Sequence, residues 1–170
     1  MPSQRILIIT PAKDEAEYIE KTIASMEAQT HRPAMWVIVN DGSDDATGQL
    51  ADEAAARHDW IQVLHRPAGT QRRVGPGVIE AFYAGLETVD MADYDFVMKM
   101  DADIEVKPQY FEILMGLFAA NPRLGTASGK CWVPIDGELV LERTHDEFSH
   151  GVAKLFRREC FRKSAGSSAR

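Results

Sequence analysis

Cysteine is scarce in this 170-residue chain: Cys131 and Cys160 are its two thiols, no C-x-x-C occurs, and no Cys/His cluster has zinc spacing. That excludes a disulfide-stapled scaffold and a structural zinc module, and both thiols are expected to be reduced structural side chains. Long apolar runs are missing as well. No stretch approaches the ~18–20 residues that cross a bilayer, and the polar residues 1–5 have no signal-peptide character. The expectation is a cytoplasmic chain. Positive charge is also short, with 19 Lys+Arg against 26 Asp+Glu and a formal charge of -7. An acidic body argues against broad nucleic-acid binding, which needs a positive surface. Residues 154–170 run the other way, with six basic residues and one acid. They are open to two readings, a solvated terminal face or contact with anionic lipid at the inner face of a membrane. No internal repeat is present.

Phosphate-binding glycine fingerprints are absent too. A dinucleotide dehydrogenase needs G-x-G-x-x-G after its first strand, where this chain has Thr10-Pro11-Ala12-Lys13. No G-x-x-x-x-G-K-[ST] occurs, paired acids after the first strand are missing, and so is a glycine-rich, Arg/Lys-bearing first loop. P-loop enzymes, receiver domains and sugar-1-phosphate nucleotidyltransferases are thereby disfavoured.

What is there is a core: 45% of the residues are hydrophobic, in a length suited to one ordinary domain. Residues 5–10 (RILIIT), 35–40 (MWVIVN), 61–65 and 95–100 (DFVMKM) read as buried strands. Residues 14–29, 47–57, 78–89 and 108–120 read as helices between and after them. In residues 14–29, Ala16, Ile19, Ile23 and Met26 fall on one face. Residues 126–133 and 139–141 look strand-like. Strands alternating with helices, none of them alternating in polarity, predict an α/β, Rossmann-like three-layer αβα architecture with a mainly parallel sheet. Right-handed crossovers then put the strand carboxyl ends on one rim, where ligands bind at the strand-order reversal.

Three unusual segments end on that rim: Thr10-Pro11-Ala12, Asn40-Asp41-Gly42 and Asp101-Ala102-Asp103. Asp101 and Asp103, if the strand stays extended, lie about 6–7 Å apart on one side. Two such carboxylates suit a hard divalent cation, Mg2+ or Mn2+, that leaves room for phosphates. A cation would also let an acidic protein hold an anionic diphosphate. Asp41 reads as a base or ribose acceptor or as a helix cap. Pro11 with Ala12 is expected to end the first strand and leave a flat floor for a ring. Glu15 reads as a rim ligand or a first-turn acid facing the helix dipole. Arg72 and Arg73 read as phosphate contacts or a solvated pair. The five histidines have no metal spacing, and Asp136, Glu138, Glu142, Asp146 and Glu147 read as surface or acceptor-site acids.

Residues 6–50 resemble the opening of family 2 glycosyltransferases, which have the glycosyltransferase type A fold. In that family a strand ending in Pro, a Glu four residues on, and a strand ending in Asp-Gly-Ser build the nucleoside pocket; here these are Pro11, Glu15 and Asp41-Gly42-Ser43. Residues 75–86 (GPGVIEAFYAGL) resemble the family's glycine-led helix, residues 96–103 (FVMKMDAD) its D-x-D strand, and residues 150–161 a later segment. The resemblance implies that Pro11, Ala12, Glu15, Asp41, Asp101 and Ala102 bind a nucleotide-diphospho-sugar, with Asp101 and Asp103 on Mn2+ or Mg2+. It implies sugar transfer with inversion to a glycan or lipid-linked acceptor. UDP is the commonest nucleotide among such relatives, with GDP and dTDP open. Family members continue past this region with an acidic motif that supplies the general base, so the base is expected beyond Arg170. Residues 1–163 are then an incomplete nucleotide-sugar-binding domain and 164–170 a disordered or artificial tail. The alternative is a non-catalytic nucleotide-sugar-binding module without the base.

Overall fold

The structure of the chain, a computed structural model, describes residues 4–67, 76–142 and 151–167. The β-branched runs form β1 (Ile6–Ala12), β2 (Met35–Asn40), β3 (Ile61–His65) and β4 (Phe96–Met100). They are mutually parallel where they pair, in the order β3-β2-β1-β4. Beyond them come the two-residue β5 (Thr126–Ala127), the β6 (Trp132–Ile135) and β7 (Glu138–Leu141) hairpin, and β8 (Ala153–Arg157). β8 adds antiparallel to β4, and β5 closes the far edge antiparallel to β8. The hairpin stands apart from the sheet. Its turn residues Asp136 and Gly137 both have left-handed backbone, φ 51° and 84°, the pattern that a type I′ hairpin turn requires.

Side-chain alternation divides the core in two. Ile6, Ile8, Trp36, Ile38, Phe96 and Met98 face α1 (Ala16–Glu27), α2 (Thr47–Arg57) and α4 (Tyr110–Ala120). Leu7, Ile9, Val37, Val39 and Val97 face α3 (Pro76–Leu86), with Phe161 of α5 (Arg158–Ser167) beside them. The predicted three layers are thus present. α3 sits close to the sheet because Gly85 has no side chain: a Cβ there would lie 2.6 Å from Val39 Cγ2 and 2.8 Å from Ile9 Cγ2.

Several expectations are corrected. β1 does not stop at Pro11 but runs through it to Ala12. The carbonyls of Ile6 and Ala12 accept from Ala34 N and Asp41 N on the β2 side, while that of Arg5 accepts from Asp95 N on the β4 side. By this alternation Pro11 turns its missing N–H toward β4, where the β1–β4 register has already ended at Ile9 and Lys99. The proline therefore costs no ladder bond and marks the place where the two strands part. The run expected at 126–133 is broken into β5 and β6 around Tyr110. That hydroxyl donates to Ala153 O and accepts from Gly129 N, at 2.9 and 3.1 Å, and burial pushes its phenol upward in pKa. A Cβ on Gly129 would meet the Tyr110 ring at 2.7 Å, so the glycine lets the chain bend here. Of the segment expected as a tail, α5 includes residues up to Ser167, and residues 168–170 lie outside the described residues.

Candidate functional site

From β1 the chain builds outward through β2 and β3, then returns through α3 to place β4 on the other side of β1. The strand-order reversal therefore falls between β1 and β4, and ligands of open α/β sheets bind outside the strand carboxyl ends at that point. A cleft of about 490 Å³ opens there, lined by Pro11, Glu15, Val78, Ile79, Lys99, Asp101, Ala102 and Asp103.

Each wall has a local cause. Pro11 lies where β1 leaves β4. Asp14 has φ 55°, a left-handed turn that Asp tolerates better than most side chains. That turn leads into Glu15, at the N-cap position of α1, whose N–H donates to Thr47 Oγ1 at 2.8 Å. Asp101 N–H donates to Val152 O at 3.0 Å. The next carbonyl, of the buried Ala102, accepts from Thr22 Oγ1 at 2.7 Å. Anchored to the residue before β8 and then to α1, residues 101–103 leave the strand, which ends at Met100. The expected extended spacing of Asp101 and Asp103 is therefore replaced by a turn, with both residues still on the cleft. The apolar wall is Val78 and Ile79 of α3, both exposed.

Sequence reasoning missed Lys99, whose ammonium ion-pairs with Asp101 Oδ1 inside the cleft. The available signal was a lone charge in an otherwise apolar strand, two positions before the acid. It also placed Ala12 in the site, but that side chain is buried in the core and its carbonyl is taken by Asp41 N.

Asp41 lies outside the cleft lining, one strand along, buried and ion-paired with Arg66 at 2.7 Å. Lys13 joins the two places, its Nζ donating to the carbonyls of Asp41 and Gly42 at 3.2 and 3.3 Å. Gly42 turns with φ 67°. Asn40 Oδ1 accepts from Ser43 N at 3.1 Å, and its Nδ2 meets His65 Nδ1 at 3.0 Å, so the Asp41-Gly42-Ser43 turn is fixed from below. Capping falls to Asp45, which accepts from Ala16 N, Thr47 N and Thr47 Oγ1. Burial works to raise the Asp45 pKa, but these hydrogen bonds outweigh it and hold the carboxyl below its usual range. Arg66 and Asp45 are further residues the sequence reading did not select.

At the base of the hairpin, Cys131 O accepts from Glu142 N at 2.9 Å. Burial, then Glu142, then Asp103 push the Cys131 thiol upward in pKa. Arg72, Arg73, His145, Asp146, Glu147 and His150 lie outside the described residues.

Among the described residues no group of three or more His, Cys, Asp or Glu is placed to hold a metal ion. Asp101 and Asp103 offer two hard carboxylates on one open cleft. That donor set fits Mg2+ or Mn2+ when phosphate and water complete the shell. Among the described residues no helix is long and apolar enough to cross a membrane.

Comparison with known proteins follows the same line. The chain is 32% identical over 156 residues to the polyprenol monophosphomannose synthase of Mycolicibacterium smegmatis, spanning 87% of this chain and 56% of that protein. It is 28% identical over 125 residues to a poly-beta-1,6-N-acetyl-D-glucosamine synthase of Staphylococcus aureus, spanning 73% of this chain and 28% of the other. The chain thus spans about half, or less, of the length of these relatives. Among solved structures, S. aureus TarS 1–349 superposes with a TM-score of 0.70 at 15% identity, covering 95% of this chain and 49% of that one. A Pyrobaculum calidifontis mannosyltransferase, solved with GDP-Man and Mn2+, gives 0.66 at 19% identity, covering 94% and 46%. These likenesses carry the fold, which is the glycosyltransferase type A fold anticipated above. Residues 7–163 match Glycosyl transferase family 2, and the chain belongs to that family.

Proposed function

We propose that the cleft between β1 and β4 binds a nucleotide-diphospho-sugar and that the chain is the donor-binding part of an inverting glycosyltransferase. The observation that carries this reading is the convergence of Pro11, Glu15, Asp101, Ala102 and Asp103 on one cleft at the strand-order reversal. Pro11 and Glu15 border the nucleoside end, with Asp41 behind them, held by Arg66 for contact with the base or ribose. Asp101 and Asp103 would hold Mn2+ or Mg2+, which when bound offsets the charge of the diphosphate and favours its departure. Val78 and Ile79 form the apolar wall of the cleft on the α3 side. The acceptor hydroxyl attacks the anomeric carbon from the face opposite the diphosphate. The base that receives its proton is assigned to none of the described residues.

UDP is the first nucleotide to test and GDP the second, since TarS has been solved with UDP-GlcNAc and the Pyrobaculum enzyme with GDP-Man. The acceptor is proposed to be a hydroxyl of a glycan or a lipid-linked acceptor, and the chain to work in the cytoplasm, at or near the inner membrane face. The test is calorimetric titration of UDP and GDP with and without Mn2+. One nucleotide should bind in a Mn2+-dependent manner, and Asp103→Ala should weaken that binding by at least about tenfold. A folded Asp103→Ala variant that binds as tightly as wild type would sink the metal assignment.

A further inference from the structure

We propose that Lys99 is a built-in cation of the diphosphate subsite, which holds Asp101 while the cleft has no donor and turns to the donor's phosphates when a donor binds, a divalent cation taking its place on Asp101 where one is present. This rests on the donor-binding reading above. Lys99 is the one charged residue in β4, whose other four residues are buried. Placing a lysine there sacrifices side-chain entropy and hydration, so its ammonium needs a partner.

The flanking strands do not supply one. On one side the register sets Lys99 opposite Ile9 of β1, and on the other opposite Lys154 of β8. Residues directly opposite in an antiparallel pair share a face, and like charges so placed are destabilising. The two ammonium groups diverge. That of Lys154 lies over the Phe156 ring, 5.9 Å from its centroid, and Phe156 pairs with Val97 near the start of β4. That of Lys99 turns the other way, onto Asp101 at the cleft.

The pair is only part-buried, with about a third of each side chain exposed (32% and 32%), so it can exchange partners. An ammonium on Asp101 opposes a divalent cation at the same carboxylate, and a cation bound there releases the ammonium. Inside the cleft the anion that a bound donor brings is its diphosphate. Lys99 therefore couples the two binding events, weakening metal binding alone and favouring diphosphate binding with or without metal.

The variant Lys99→Met, close in size and without charge, separates these effects because they have opposite signs. Mn2+ affinity without nucleotide, read from the electron paramagnetic resonance of the free ion, is expected to rise about two- to fivefold. Metal-free affinity for UDP or GDP, read by NMR titration, is expected to fall by a similar factor, about two- to fivefold. Lys99→Arg, which keeps the charge, should stay within about twofold of wild type on nucleotide. Thermal unfolding of each variant establishes that it is folded. A Lys99→Met chain that matches wild type in both titrations, or loses affinity in both, overturns the role of Lys99. A wild-type chain that binds no nucleotide with or without Mn2+ overturns the donor-binding reading itself.

Discussion

Arg66 shows how much of the site's order depends on one side chain. Its guanidinium and the Asp41 carboxylate are each mostly buried, with 21% and 12% of the side chain exposed, at 2.7 Å. A carboxylate held so far out of water needs a charged partner, and removing that partner costs more than the pair itself contributes. Arg66→Met should therefore destabilise the chain by about 1–3 kcal/mol in urea unfolding. Adding Asp41→Asn should recover part of that loss, because the unpaired charge goes with it. If the double variant is as unstable as the two single losses summed, the two groups do not act as a pair. Arg66→Met is also expected to weaken nucleotide binding, since Asp41 is proposed to face the nucleoside. Nothing in the sequence near Arg66 announced this partnership. Arg66 and Asp41 are 25 residues apart, and only the parallel pairing of β2 with β3 brings the strand ends together.

At the level of elements, α1 and α2 are tied at both ends by carboxylates. Asp45 takes the N–H groups of Ala16 and Thr47 where the two helices begin. Glu27 Oε1, near the end of α1, takes Arg57 at 3.0 Å and His58 at 2.9 Å where α2 finishes. For each carboxyl, burial pushes the pKa up and is outweighed. Glu27 is lowered by Arg57 and His58, and Asp45 by its hydrogen bonds to Thr47 and Ala16. Because both folded-state values lie below the unfolded ones, their contribution is present above the ordinary carboxylate range, about 4. It is lost as pH falls through the lowered values. A Glu27→Gln, Asp45→Asn double variant should be less stable than wild type at pH 7 by about 1–2 kcal/mol. The gap should narrow as unfolding is repeated toward pH 3, where wild type has lost the same charges. A gap independent of pH would show that these carboxylates act through shape alone.

For the molecule as a whole, the elements whose identity is local were legible and those decided by distant partners were not. β1 to β4 are dense in apolar, often β-branched residues and the helices between them have one apolar face, so element types, layers and rim could be read directly. The place of β8 could not, because AKLFR declares itself a strand only by lying beside β4, more than fifty residues earlier. The same holds for Lys99, whose meaning depends on a like charge across the ladder, and for Pro11, whose tolerance depends on where β4 stops pairing. One global quantity remains legible throughout: a charge of -7 that the molecule brings to an anionic ligand. At low ionic strength the field of that charge reaches about 30 Å, and at physiological salt about 8 Å. Long-range repulsion is therefore removed by salt, while a contact between an ammonium and a phosphate at the bottom of a cleft is screened much less. Metal-free nucleotide affinity should accordingly rise, by about two- to threefold, between 0.01 and 0.15 M monovalent salt. A surface that captured nucleotides through a basic patch would show the opposite slope, so a steep loss of affinity with salt would move the binding site away from the acidic rim and toward the basic residues of 154–170.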